Sequence, residues 1–140
     1  RQPFDSPYSG VIARFCDALV NGKRPAIFGT GEQSRDFTYI DNVVFANLRA
    51  AEAKDAAGKV INVANGERIT LNQLLAELKD LTGKQDVTAE YLEPRVGDVR
   101  HSLADISLAR KFLGYESKVD LREGLQRTID WWESSRFSRG

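Results

Sequence analysis

Two hydrophobic periods alternate along this chain, and their order limits the folds open to it. Apolar residues recur at helical spacing in one segment, then a short β-branched or aromatic run follows, several times over 140 residues. Val11, Ile12, Phe15 and Leu19 predict a helix from Tyr8 or Ser9 to Val20, closed by Asn21-Gly22. Ala26-Ile27-Phe28 reads as a short strand, Gly29 to Glu32 as a turn, and Arg35 to Ile40 as a second strand. Asp41 offers an N-cap oxygen to a helix reaching about Lys54, with Val43, Val44, Leu48 and Ala51 as its apolar face. Lys59 to Ala64 is a β-branched strand ended by Asn65-Gly66. Thr70 and Gln73 form a capping box before a helix that carries Leu71, Leu74, Leu75, Leu78 and Leu81 and stops at Gly83. Val87 to Leu92 is a further strand, and Glu93 to Ser102 a polar loop with Pro94 and Gly97. Asp105 caps a short helix ending at Leu113-Gly114, and Asp120 with Glu123 caps a last one carrying Leu121, Leu125, Ile129 and Trp132. This order predicts an α/β (α+β) unit, a small mixed sheet of short strands with about five helices, and not a bundle or a sandwich. Strands this short suit a sheet that is part of a larger assembly.

Composition narrows the function classes. Twenty basic residues stand against twenty acidic ones, so the basic excess of a dedicated nucleic-acid binder is missing. One Cys forms no internal disulfide, and one His with one Cys builds no His/Cys-rich zinc site. Apolar runs are short and interrupted by charge, as at Val11-Ile12-Ala13-Arg14, so no spanning helix or signal peptide is expected. A reducing, cytoplasmic setting is the expectation. The chain contains no Met and opens Arg-Gln-Pro, which reads as a cut from a longer chain.

Several reactive constellations are missing from the sequence. Gly29-Thr30-Gly31 is followed by Ser34 where a dinucleotide fingerprint needs its third glycine. No Tyr has Lys four residues on, because Tyr8, Tyr39, Tyr91 and Tyr115 are followed there by Ile12, Val43, Arg95 and Val119. Cys16 reads as a small core residue in a helix, and His101 has no partner pattern. Two basic loop features remain. Arg35 precedes Asp36 where a Gly-rich turn enters a strand, and Arg95 and Arg100 flank Gly97-Asp98. Planar guanidinium forks grip phosphate oxygens, a carboxylate accepts from sugar hydroxyls, and Phe28 offers a stacking face. Together these compose a candidate nucleotide or sugar-phosphate site. Taken singly, they read as surface ion pairs of little energy.

The same residues resemble a known family. Gln33-Ser34-Arg35-Asp36-Phe37-Thr38-Tyr39-Ile40-Asp41-Asn42-Val43 is similar to a stretch of the extended short-chain dehydrogenase/reductases. Gly97-Asp98-Val99-Arg100-His101-Ser102-Leu103-Ala104-Asp105-Ile106 is similar to a segment of their UDP-hexose 4-epimerases. Lys111-Phe112-Leu113-Gly114-Tyr115 and Leu121-Arg122-Glu123-Gly124-Leu125 continue the pattern in order, and Arg1-Gln2 resembles the pair that follows the last Rossmann strands. Each piece alone is weak, and five in order cover nearly the whole chain. Ser34 and Gly97 to Ser102 most resemble the subgroup acting on N-acetylated UDP-sugars.

The resemblance implies that residues 1–140 are the UDP-sugar-binding C-terminal portion of a two-part enzyme. By resemblance Arg35 and Arg95 hold the diphosphate, Asp98 the ribose, and Phe28 lies against the uracil. Ser102, Ser34 and Pro7 line the sugar pocket, where a small Ser102 leaves room for an N-acetyl group. The family's NAD-binding Rossmann half, with its catalytic Tyr-x-x-x-Lys, has no counterpart in this sequence. NAD is therefore implied for the full-length family enzyme and not for this chain, which contributes no catalytic residue. In the family, hydride leaves the sugar C4 for NAD and returns to the other face. A chain without that half is expected to be inactive alone, with a UDP-sugar and the missing half, or a second copy, as partners. The alternative is a truncated fragment acting as a protein-binding or self-assembling module through its exposed cut surface. A complete but diverged enzyme is a third reading, with no reactive constellation behind it.

Overall fold

Cap chemistry sets the element ends in the computed structural model, which describes residues 10–137. The order is α1 (Val11–Val20), β1 (Ala26–Phe28), β2 (Ser34–Arg35), α2 (Ile40–Glu52), a 3-10 turn (Lys54–Ala56), β3 (Ile69–Thr70), α3 (Leu71–Thr82), β4 (Glu90–Leu92), α4 (Ser107–Leu113) and α5 (Leu121–Phe137). The mixed α/β class with five helices is the one the sequence predicts. At α3 the Thr70 hydroxyl accepts from the Gln73 N–H, the Gln73 amide oxygen accepts from the Thr70 N–H, and Gly83 closes the helix in the left-handed region. Asp120 accepts the Glu123 N–H at 2.8 Å before α5. Asp105 is not the N-cap of α4 that the sequence predicts: Ile106 stands at that position without a side-chain cap, and Asp105 one residue earlier accepts the Ser107 N–H at 2.8 Å.

The strands form two pairs. β1 runs parallel to β4, with Ala26 opposite Glu90, Ile27 opposite Tyr91 and Phe28 opposite Leu92. β2 runs antiparallel to β3, with Ser34 opposite Thr70 and Arg35 opposite Ile69. One isolated bridge joins Ser34 to His101. Two apolar clusters lie beneath them. The larger joins α1, α3, α5 and Ile27, through Phe15, Leu74, Leu78, Ile129 and Trp132 among others. The smaller joins Ala46 on α2 to Ala64, Ile106, Ala109, Leu113 and Tyr115. Tyr115 is fully buried, and its hydroxyl donates to the Ala64 carbonyl at 2.8 Å. Burial, with Asp36 and Glu116 adding, pushes that phenol up.

Four other sequence expectations change here. The strand expected over 35–40 is only Ser34–Arg35, because the Asp36 carboxylate turns aside to accept the N–H groups of Asn65 and Gly66. Asp41 is not the cap of α2. Tyr39 stands at that position without a side-chain cap, and Asp41 pairs with Arg127 at 2.8 Å. The buried side of α2 is Asn42 and Ala46, while Val44 and Leu48 are 50% and 62% exposed. The Asn42 amide fixes that side by donating to Ser117 Oγ and the Val119 carbonyl and accepting the N–H groups of Lys118 and Val119. Lys59 to Ala64 joins neither strand pair. Ile61 and Val63 rest against the smaller cluster, and Val60 is 91% exposed.

Candidate functional site

The parallel β1–β4 pairing builds one wall of the site. Gly29 N–H donates to the Leu92 carbonyl at 2.8 Å, so the loop leaving β4 starts beside the end of β1, where Phe28 sits. The far end of that loop is held on β2: Ser34 N–H donates to the Arg100 carbonyl at 2.9 Å and Ser102 N–H to the Ser34 carbonyl at 3.0 Å. A loop pinned at both ends carries Arg95 and Asp98 over Phe28 and Arg35. The Arg35 Nη2 donates to Asp98 Oδ1 at 2.5 Å, and its Nη1 to the Ser34 carbonyl at 2.9 Å. The Arg95 guanidinium lies 3.7 Å from the centre of the Phe28 ring, a cation–π distance. These four residues line one cavity of about 630 Å³. Its size is that of a small-molecule site.

Sequence reading missed other cations on the same wall. Arg14, Lys23 and Arg24 also line the cavity, with Asp17 among them. Arg24 is itself tied to β4's approach, its Nη2 donating to the Ala89 carbonyl at 2.8 Å. The signal was present as charges on the outward side of α1 and just after it, indistinguishable in sequence from a solvated helix face. Gln33 lines the cavity too, and its Nε2 donates to the Phe28 carbonyl at 2.6 Å, steadying the end of β1. Strand alternation puts Ala26 on the same face as Phe28, and both line the cavity, while Ile27 on the other face is buried.

The two serines stand differently. Ser34 is buried, and its hydroxyl is 2.9 Å from His101 Nδ1. Ser102 is exposed on the adjacent loop. Neither lines the cavity with Arg35 and Arg95. Pro7 lies outside the described residues. Cys16 is buried in the larger cluster, where burial pushes its thiol up to about 11, so it is no nucleophile near neutrality. Among the described residues no group of His, Cys, Asp and Glu could hold a metal ion. None of their helices is long and apolar enough to cross a membrane.

A sequence profile of the NAD dependent epimerase/dehydratase family matches residues 2–64. A putative UDP-glucose 4-epimerase of Methanocaldococcus jannaschii is 35% identical over 127 residues, 91% of this chain and 40% of that protein. Among solved structures, the UDP-N-acetylglucosamine 4-epimerase of Methanobrevibacter ruminantium in complex with UDP-N-acetylmuramic acid is 40% identical with a TM-score of 0.88, over 96% of this chain and 43% of that one. The chain is a homologue of the NAD-dependent epimerase/dehydratase family. The UDP-glucose 4-epimerase of Thermotoga maritima, solved with UDP-glucose, is likewise 40% identical with a TM-score of 0.84, over 96% of this chain and 43% of that one. The chain thus spans about two fifths of the length of the relatives it matches.

Proposed function

We propose that this chain is the nucleotide-sugar-binding portion of a UDP-sugar 4-epimerase. One observation carries the reading. Phe28, Arg35, Arg95 and Asp98, up to 70 residues apart in sequence, line a single cavity and combine an aromatic face, two guanidinium groups and a carboxylate. That is the chemistry of a base, a diphosphate and a ribose. Relatives in the same fold were solved with UDP-sugars, which supports the assignment. In this reading Ser102 and Ser34 would face the hexose, where small side chains suit an N-acetyl substituent, although neither lines the cavity in the free chain.

Among the described residues, the glycine turn at Gly29–Gly31 does not have the form of an NAD cradle. The Gly29–Gly31 turn joins two strands and opens no helix. The Asn72 side chain fills it, lying 2.1 Å from where a Cβ on Gly31 would stand. In this reading the chain binds and orients the sugar nucleotide, and the hydride chemistry is supplied elsewhere in the full-length enzyme. The chain alone is then inactive toward UDP-hexose.

Calorimetry with UDP, UDP-N-acetylglucosamine and NAD tests this. Both UDP ligands should bind and NAD should not. Arg35→Ala and Arg95→Ala should each weaken UDP by about tenfold, the low end for a charge-assisted hydrogen bond in a solvent-open site. No UDP ligand bound at millimolar concentration, with NAD bound instead, would sink the proposal.

A second reading, a self-assembling module, has its own observation. Ile40, Val44 and Leu48 form an exposed apolar stripe four residues apart on α2. Light scattering separates the two. A dimer that binds no nucleotide favours assembly, and a monomer that binds UDP excludes it.

A further inference from the structure

We propose that residues 93–99 are a strap held shut on this cavity by its own ligand-binding groups, and that a nucleoside diphosphate opens it by exchange. The inference rests on the nucleotide reading above. Within the chain, the four groups of the site already satisfy one another. Arg95 lies over the Phe28 ring at 3.7 Å, in the volume a base stacked on that face needs. Arg35 spends its Nη2 on Asp98 at 2.5 Å, so one of the phosphate-gripping donors is engaged by a carboxylate. A base stacked on Phe28 displaces Arg95 from the ring, and a diphosphate that takes the Arg35 Nη2 parts it from Asp98.

The strap is built to part. Its ends are pinned, at Leu92 by the Gly29 N–H and at Arg100 and Ser102 by Ser34, with the Ser34 hydroxyl and His101 Nδ1 adding a side-chain link. Its middle is not packed: Val96 is fully exposed, and nothing lies within 4 Å of where a Cβ on Gly97 would stand. Gly97 takes a φ of +83°, and the Asp98 N–H closes a turn on the Arg95 carbonyl at 3.3 Å. A glycine in that region bends at little steric cost. The side chains of Arg95 and Asp98 are therefore what hold the middle down. Both are partly solvated, and such contacts are weak. Closure should lower nucleotide affinity by about two- to tenfold, because part of the ligand's binding free energy goes into parting these contacts.

The test reads the strap directly in the whole chain. In 15N-arginine NMR spectra the ring current of Phe28 should shift the Arg95 Nε–H proton upfield, and Phe28→Leu should abolish that shift. Titrating UDP should move the resonance downfield in step with the occupancy measured by calorimetry. Asp98→Asn removes the ribose-binding carboxylate along with the latch, so its readout is Arg35 itself: without UDP, the Arg35 Nε–H resonance should move from its wild-type position toward the UDP-bound one. UDP binding with the Arg95 resonance unmoved overturns the strap and leaves the nucleotide site standing. An Arg35 resonance that Asp98→Asn leaves unmoved overturns the latch in the same way. A wild-type chain and an Asp98→Asn variant that both ignore UDP overturn the nucleotide reading itself.

Discussion

Arg35 and Asp36 are neighbours whose chemistry points in opposite directions. Arg35 reaches Asp98 across the cavity, while the Asp36 carboxylate accepts two backbone N–H groups, from Asn65 and Gly66, each at 3.0 Å. Asp36 is thus a structural pin. Asp36→Ala should cost about 1–3 kcal/mol in urea unfolding, because two N–H donors lose a charged acceptor, and UDP binding should survive at temperatures where the fold does. Asp105 gives a pH-dependent case. Its N–H partner on Ser107 holds the carboxyl below its ordinary 3.8. A depressed carboxyl favours the fold above its unfolded value, and that contribution fades as pH falls through the lower folded value. Asp105→Asn should therefore cost stability at neutrality, where the contribution is full, and progressively less as pH falls below about 3.8, as unfolding curves taken across that range would show. Both roles were half legible: an Asp before a helix reads as a cap, but nothing near Asp36 in sequence names Asn65 as its partner.

Helix α2 is where sequence pattern and burial part company. Val43, Val44, Leu48 and Ala51 form the more apolar stripe, yet Asn42 and Ala46 are the buried pair, each 1% exposed. The stripe was read as inward because water expels apolar surface. The position was decided instead by an amide that satisfies four partners and by a small residue that lets α4 approach. Leu48→Gln should leave stability within about 0.5 kcal/mol, and Ala46→Leu should overpack the smaller cluster and cost about 1–3 kcal/mol, both read by urea unfolding. The opposite ranking would restore the sequence reading. α1, α3 and α5 gave no such conflict: Phe15, Leu74, Leu78 and Ile129 are buried as their spacing predicts.

Across the fold, two clusters are tied by polar contacts and by close packing. Asp36 reaches Asn65 and Gly66, and Gly124 on α5 comes so near Tyr39 that an added Cβ would stand 3.1 Å from it. The Trp132 side chain belongs to the larger cluster and Tyr115 to the smaller. Tied clusters should melt together, so near-ultraviolet signals from Trp and Tyr should share one midpoint. Leu78→Ala, at a fully buried position of α3, should cost about 2–5 kcal/mol and lower both signals equally. Separate midpoints would mean that the two clusters fold as independent units.

Sequence alone determined the helices, the caps of α3 and α5 and the chemical kinds gathered at the candidate site, because a cap that closes on its own first turn is local and guanidinium, carboxylate and ring carry their chemistry with them. Tertiary structure decided which of them meet. Lys59 to Ala64 has the residues of a strand, yet a ladder needs a neighbour and neither strand pair includes it. Arg35, Arg95, Asp98 and Phe28 share one cavity because a parallel pair of three-residue strands sets the end of β1 beside the loop that leaves β4. Arg14, Lys23 and Arg24 join them for the same reason, since a charge on a helix face becomes part of a site only when another element closes over it.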